Sequence, residues 1–193
     1  MHKIYFTRVR KEHTSLYGLV NNAGGVLATA RATVELNTYA VIRVTRAFLP
    51  LLQGDKGDLL KMEIVIRFCV LNCSGRIVMI SSAAGPNFVS KCSEDIQKML
   101  VSPEVTFKET EERVIAPYLR IMEDASIPED GRNDALEAAG LHDSGSVGAG
   151  YGVSKAALNA YTVEVARSNP GLLVNACTPG FIETDLTRPM ADR

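Results

Sequence analysis

The chain of 193 residues has no basic excess: 21 Lys and Arg stand against 22 Asp and Glu, a formal net charge of −1. That argues against a nucleic-acid binder, which must neutralise phosphates. No stretch approaches the ~20 consecutive apolar residues needed to span a bilayer, so no membrane partner is expected. Cysteine is sparse, with Cys69, Cys73, Cys92 and Cys177 and no secretory signal, which points to a reduced, cytoplasmic protein and not a disulfide framework. Cys69-x-x-x-Cys73 has no second ligand pair at zinc spacing, so the thiols are expected to be buried and no metal site is expected. A phosphate loop is missing too. The run Gly145-Ser146-Val147-Gly148-Ala149-Gly150 imitates a nucleotide-binding fingerprint, but a buried strand should precede one, and Leu141-His142-Asp143-Ser144 is polar. It reads as a flexible approach to the next helix.

What the chain does have is an ordinary soluble balance, 46% hydrophobic and 22% charged, with length enough for one core. The basic start, Met1 to Arg10, resembles a transit peptide but runs into Lys11-Glu12-His13 without a cleavage-like site, and reads as the tail of a helix. Charge is unevenly placed. Residues 86–148 hold 13 acidic and 6 basic side chains, net −7, leaving 9 acidic and 15 basic elsewhere, net +6. A solvated acidic insert accounts for this, and a basic remainder is compatible with an anionic dinucleotide.

Three apolar runs read as strands: Leu16–Val20, stopped by the Asn-Asn-Ala-Gly-Gly turn; Gly75–Ile80, β-branched and apolar on both faces as in the interior of a parallel sheet; and Leu172–Cys177. Between the first two, Val34, Val41, Val44, Phe48 and Leu51 make one stripe of a helix over 31–53, with Pro50 tolerable only near its final turn. Asn37 interrupts that helix and is either exposed or put to use. The segment 86–148 carries two helices, near Ser93–Leu100 and Thr106–Ala125. The second opens on the capping-box pattern Thr106-x-x-Glu109, with a stripe of Phe107, Val114, Tyr118 and Ile121. A further helix runs from Tyr151 to about Ser168, stopped by Asn169-Pro170-Gly171. Strands alternating with helices make a βαβ organisation.

The chemistry concentrates at Tyr151-Gly152-Val153-Ser154-Lys155. Four residues apart on a helix, the Tyr151 phenol and the Lys155 ammonium become neighbours. A nearby cation favours the phenolate and brings a tyrosine of pKa about 10 within reach of acid–base work. Tyr-x-x-x-Lys alone is as often a half-buried ring beside a solvated amine. Its companions, in order, are Asn21-Asn22-Ala23-Gly24, Asn37, Ser81-Ser82 and Pro179-Gly180-Phe181-Ile182-Glu183-Thr184.

In that order the motifs resemble the short-chain dehydrogenase/reductase family, and the long segment between Ser82 and Tyr151 is similar to its carbonyl reductase branch. The resemblance implies an α/β fold: a Rossmann-like parallel sheet with flanking helices, incomplete because the first strands, their Gly-rich turn and the last strand have no counterpart here. It implies catalytic roles for Asn37, Ser82, Tyr151 and Lys155, with Ser81 as the alternative serine. Asn22, Ala23, Gly24, Pro179, Gly180, Ile182 and Thr184, with Tyr151 and Lys155, would contact the cofactor. The cofactor implied is NADPH, with NADH the other option; the substrate is a small carbonyl compound. The 86–148 insert would lie by the active site and cover the surface through which other members oligomerise, giving a monomer.

One domain is therefore expected over 1–193, interrupted at 54–74 where the family passes directly from helix to strand. That interruption, centred on Ile64-Val65-Ile66-Arg67-Phe68-Cys69-Val70-Leu71, has the composition of an aggregation-prone strand. It is expected to be foreign to the native protein, the chain being a fragmentary or misassembled gene product, and peptides from Met62–Asn72 in that protein would refute this. The alternative to a reductase is an inactive fragment unable to bind cofactor, serving as an interaction module.

Overall fold

The computed structural model describes residues 15–53, 75–142 and 148–180. Within them, three strands form one parallel sheet in the order β1 (Gly18–Asn21), β2 (Gly75–Ile80), β3 (Leu172–Cys177). Leu19 pairs with Ile77 and Ile77 with Val174, so the three side chains share one face. The expected strands at 75–80 and 172–177 form with those bounds, and β2 is interior. The first is displaced, running Gly18–Asn21 and not from Leu16.

One sheet face is covered by helices. α1 (Ala30–Val34) opens on Thr29, whose hydroxyl accepts from the Ala32 N–H, and passes through a π turn (Glu35–Tyr39) into α2 (Ala40–Leu52). The wider π turn holds an extra residue, so the buried stripe moves along the chain. Ile42, Thr45 and Leu52 join Val34, Val41 and Leu51 inside, while Val44 and Phe48 are only half-buried. Pro50 sits in the last turn of α2. α8 (Tyr151–Ser168) packs against β3 on the same side and buries Val153, Ala156, Ala157, Leu158, Ala160, Tyr161 and Val165.

Between β2 and α8 lies the folded insert: α3 (Ala84–Val89), α4 (Glu94–Leu100), α5 (Phe107–Thr110), a second π turn (Glu111–Ile115), α6 (Ala116–Glu123), a 3-10 turn (Glu129–Gly131) and α7 (Arg132–Ala138). The Thr106 hydroxyl caps α5 by accepting from the Glu109 N–H, 3.1 Å. Phe107, Val114 and Tyr118 are buried as the stripe predicts, and Phe107 meets Tyr39 and Tyr161 edge-on, both at 5.9 Å. The insert thus packs on α8 and on the first π turn, continuous with the main core.

The opposite sheet face is more open. Val20 is 63% exposed, and Arg76 and Val78 are half-buried, with Arg76 lying over the Tyr17 ring. The expectation that Gly75–Ile80 is apolar on both faces holds for the covered face, where Ile77 and Met79 are buried, but the open face carries Arg76 beside Val78 and Ile80. The expectation of four buried thiols is corrected at Cys177, which is exposed because it ends β3 on this open face; Cys92 is buried, and burial pushes its thiol up to about 11. Cys69, Cys73, the 54–74 interruption and Met1–Arg10 lie outside the described residues. No described helix is long and apolar enough to cross a membrane, and no group of three or more His, Cys, Asp or Glu among the described residues is placed to hold a metal ion.

Candidate active site

Tyr151 is the first residue of α8, half-buried, and Lys155 follows one turn later, buried. The Lys155 Nζ lies 5.6 Å from the centre of the Tyr151 ring and donates a hydrogen bond to the Ile80 carbonyl, 2.8 Å away at the end of β2. Desolvation lowers the Lys155 pKa from 10.5 to about 8. At neutral pH roughly nine-tenths of the amine still carries its charge. The ammonium is therefore fixed next to the phenol by a strand end, at a cost in solvation.

Asn37 occupies the middle of the first π turn and is 1% exposed. Its Oδ1 accepts the Gly25 N–H at 2.8 Å, while its Nδ2 donates to the Gly25 carbonyl at 2.9 Å and to the Ser154 hydroxyl at 3.0 Å. Ser154 donates in turn to the Tyr151 carbonyl at 2.7 Å, and Thr38 donates to the Ser154 carbonyl at 3.0 Å. The amide thus ties the loop after β1 to the first turn of α8. Gly24 completes the contact. A Cβ there would lie 3.0 Å from Asn37 Oδ1 and 3.5 Å from Lys155 Nζ, so the loop backbone sits directly on the Asn37–Lys155 pair.

The two serines separate by partner. Ser81 is buried and its hydroxyl donates to Asn159 Oδ1 at 2.6 Å, binding the strand end to α8. Ser82 is half-buried, and its oxygen accepts the Ala84 N–H at 3.2 Å, a turn-closing bond that leaves the hydroxyl proton for another acceptor. Gly85 lets this turn approach α8, since a Cβ there would lie 3.0 Å from the Lys155 carbonyl carbon and 3.1 Å from the Ala156 nitrogen. Ser82 is thereby carried between the Lys155 carbonyl acceptor, Ile80, and a glycine in contact with the Lys155 backbone.

Of the remaining candidates, Asn22, Ala23 and Gly24 form an exposed loop beside this cluster, while Pro179 and Gly180 are exposed beyond β3. Ile182 and Thr184 lie outside the described residues. Asn21 has a different task from its neighbour: it is buried, and its Nδ2 donates to Thr45 Oγ1 at 3.0 Å and to Met79 Sδ at 3.1 Å, anchoring β1. Sequence reasoning missed Ser154 and Asn159. Asn159 stands four residues beyond Lys155, so helical spacing alone would have placed it on the same face.

The residues fit the sugar and ring end of a dinucleotide. A buried amine with unused donor capacity lies under an exposed, side-chain-free stretch of loop, and a phenol stands beside it. β1 leads through the Gly24–Gly25 turn to α1, but no described strand is followed by the Gly-x-Gly-x-x-Gly spacing of a pyrophosphate turn. Two surface hollows of about 540 and 580 Å³ lie along the insert, neither lined by Tyr151, Ser82 or Lys155.

No family model matches the chain. It is 27% identical over 200 residues to the NADPH carbonyl reductase 3 of Rattus norvegicus, covering 96% of this chain and 60% of that protein. It is 30% identical over 162 residues to short-chain dehydrogenase/reductase 1 of Saponaria officinalis, covering 83% of this chain and 43% of that one. The solved structure of salutaridine reductase from Papaver somniferum superposes with a TM-score of 0.68 at 22% identity, over 96% of this chain and 66% of that one, and shows a shared fold. The chain spans about 60% of the length of the carbonyl reductases it matches. The chain is thus similar in sequence to short-chain dehydrogenase/reductase proteins, carbonyl reductases among them, and shares their fold.

Proposed function

We propose that this chain carries the proton-handling half of an NADPH-dependent carbonyl reductase acting on a small ketone or aldehyde. The observation that carries the reading is the hydrogen-bonded joining of Asn37, Ser154 and the Gly25 backbone, with Gly24 packed over Asn37 and Lys155, and the Lys155 amine lying over the Tyr151 ring. A bound nicotinamide would supply the hydride. Tyr151 donates the proton to the substrate oxygen, and the Ser82 hydroxyl donates a hydrogen bond to that oxygen, stabilising its developing charge. Lys155 holds its charge over the Tyr151 ring and grips the ribose with the donors left after its bond to Ile80. Asn37 holds the loop and the helix together and supports proton resupply. Asn22, Ala23, Gly24, Pro179, Gly180, Ile182 and Thr184 line the cofactor. The packing of α5 and the second π turn on α8 supports a monomer, and the names of its relatives support a small-molecule enzyme, which we take to be cytoplasmic.

The open sheet face supports a second reading, a chain that keeps the catalytic signature but binds no cofactor and serves as an interaction module. Calorimetric titration with NADPH and NADH separates the two. Saturable NADPH binding that Lys155→Met weakens at least about tenfold is expected for the reductase, and no binding of either nucleotide supports the module.

A further inference from the structure

One side chain of the insert reaches the residue before Tyr151. Tyr118, in α6, is 1% exposed, and its ring meets Phe88 of α3 edge-on at 6.3 Å. Its hydroxyl oxygen accepts the Gly150 N–H at 2.9 Å. Gly150 is the N-cap of α8, the residue before Tyr151, and is itself buried. An N-cap amide is a donor that the helix ladder does not use; a capping box satisfies it with a carboxylate or amide side chain from within the helix. Here the N3 residue is Val153, which has no acceptor, and Ser154 turns back to the Tyr151 carbonyl. The acceptor comes from 32 residues upstream instead.

The same glycine is held from its other side. Gly150 has φ +80, and a Cβ on it would lie 2.8 Å from both the Cα and the carbonyl oxygen of Ala30, the first residue of α1. Any side chain here would meet strain and backbone together. Two residues earlier Gly148, at φ +115, abuts Val26. The run that reads in sequence as a flexible approach is therefore, over 148–150, a wedge between the start of α1 and the Tyr118 hydroxyl. Tyr151 has a single backbone bond of its own to this run, its N–H donating to the Gly148 carbonyl at 3.2 Å.

We propose that Tyr118 is a positioning residue for Tyr151: by accepting the Gly150 N–H, it fixes where α8 begins and so where the phenol stands over Lys155. This deepens the reductase reading and rests on it for its catalytic consequence, but its geometric content does not. A residue of the insert then sets the acid–base geometry, and the insert is a brace on the catalytic helix.

The test uses the whole chain with its tyrosines labelled at the ring Cζ with carbon-13. The Tyr151 resonance is assigned by its loss in Tyr151→Phe, and Tyr17→Phe, on the exposed end of the sheet, serves as control. Tyr118→Phe keeps the ring against Phe88 and removes only the oxygen. The Tyr151 resonance is expected to shift or broaden in Tyr118→Phe and to stay in place in Tyr17→Phe; an unmoved Tyr151 resonance in folded Tyr118→Phe overturns the proposal. Should Tyr118→Phe fail to fold, amide exchange in the unmodified chain decides: Gly150 is expected to be protected at least a hundredfold, and exchange at the free-peptide rate overturns the clamp. Where the chain turns over carbonyl substrate with NADPH, Tyr118→Phe should lower kcat about tenfold with the NADPH affinity unchanged. A moved resonance in a chain without turnover keeps the clamp and counts against the reductase; a moved resonance with kcat unchanged overturns the positioning role.

Discussion

On one face of the sheet Ile77 and Met79 are fully buried beneath the helices, whereas on the other Val20 is 63% exposed and Arg76 and Val78 are half-open. Every group of the candidate cluster hangs from the covered side or from a strand end adjoining it: Asn37 from the first π turn, Tyr151 and Lys155 from α8, Ser82 from the turn after β2. The apolar packing and the polar site are consequently one construction. Lys155 can be held buried because the Ile80 carbonyl is fixed by the β2–β3 pairing, and Asn37 because α1 and α8 are in contact. The open face carries none of these groups.

The contrast predicts unequal costs of substitution. Ile77→Ala should lower unfolding free energy by about 3 kcal/mol, since a fully buried isoleucine leaves a cavity, while Val20→Thr on the open face should stay within about 0.5 kcal/mol. Denaturant midpoints measure both. Equal losses would break the comparison and mean that the open face is covered in solution.

Lys155 sharpens the same contrast, because it is the charge placed on the covered side. Its pKa falls from 10.5 unfolded to about 8 folded, so between those values the folded chain binds fewer protons than the unfolded one. Stability therefore rises as pH increases from about 8 to 10.5, and below 8 the full penalty of about 3 kcal/mol applies. Lys155→Met removes that penalty and also the bond to Ile80. A net stabilisation of about 2 kcal/mol is expected at pH 7, shrinking above pH 8. A variant less stable than the parent at pH 7 would show that the bond to Ile80 outweighs desolvation. Gly85→Ala presses a methyl on the α8 backbone and should cost about 1–2 kcal/mol, with Ser82 displaced. The smallest effect belongs to the exposed pair Arg31–Glu123, which joins α1 to α6; Arg31→Ala should leave the denaturant midpoint nearly unchanged, and the more so at high salt.

Local signals were legible where the physics is local. The β-branched run Gly75–Ile80, the strand Leu172–Cys177, the helix stop at Asn169-Pro170 and the Thr106 cap follow from neighbours in the chain. The Tyr151–Lys155 pairing likewise follows from helical spacing. What sequence reasoning missed depends on distant partners. The π turn at Glu35–Tyr39, which rotates the face of α2, has no residue signature; Asn37 bonds across 117 residues to Ser154. Ser81 and Ser82 are indistinguishable in sequence until Asn159 claims the first. The Gly148–Gly150 run reads as flexible because neither Tyr118 nor Ala30 is visible from it in sequence, although the positive φ at both glycines explains why glycine stands there.

In the proposed reductase the Tyr151 phenol, beside Lys155 at the end of β2, passes a proton to a substrate oxygen. The most direct test of that step follows nicotinamide absorbance in this chain with NADPH and a panel of ketones and aldehydes, for the parent and for Tyr151→Phe at matched calorimetric NADPH affinity. Turnover is expected in the parent, with a loss of at least about a hundredfold in Tyr151→Phe. Turnover of the same rate in Tyr151→Phe would contradict it.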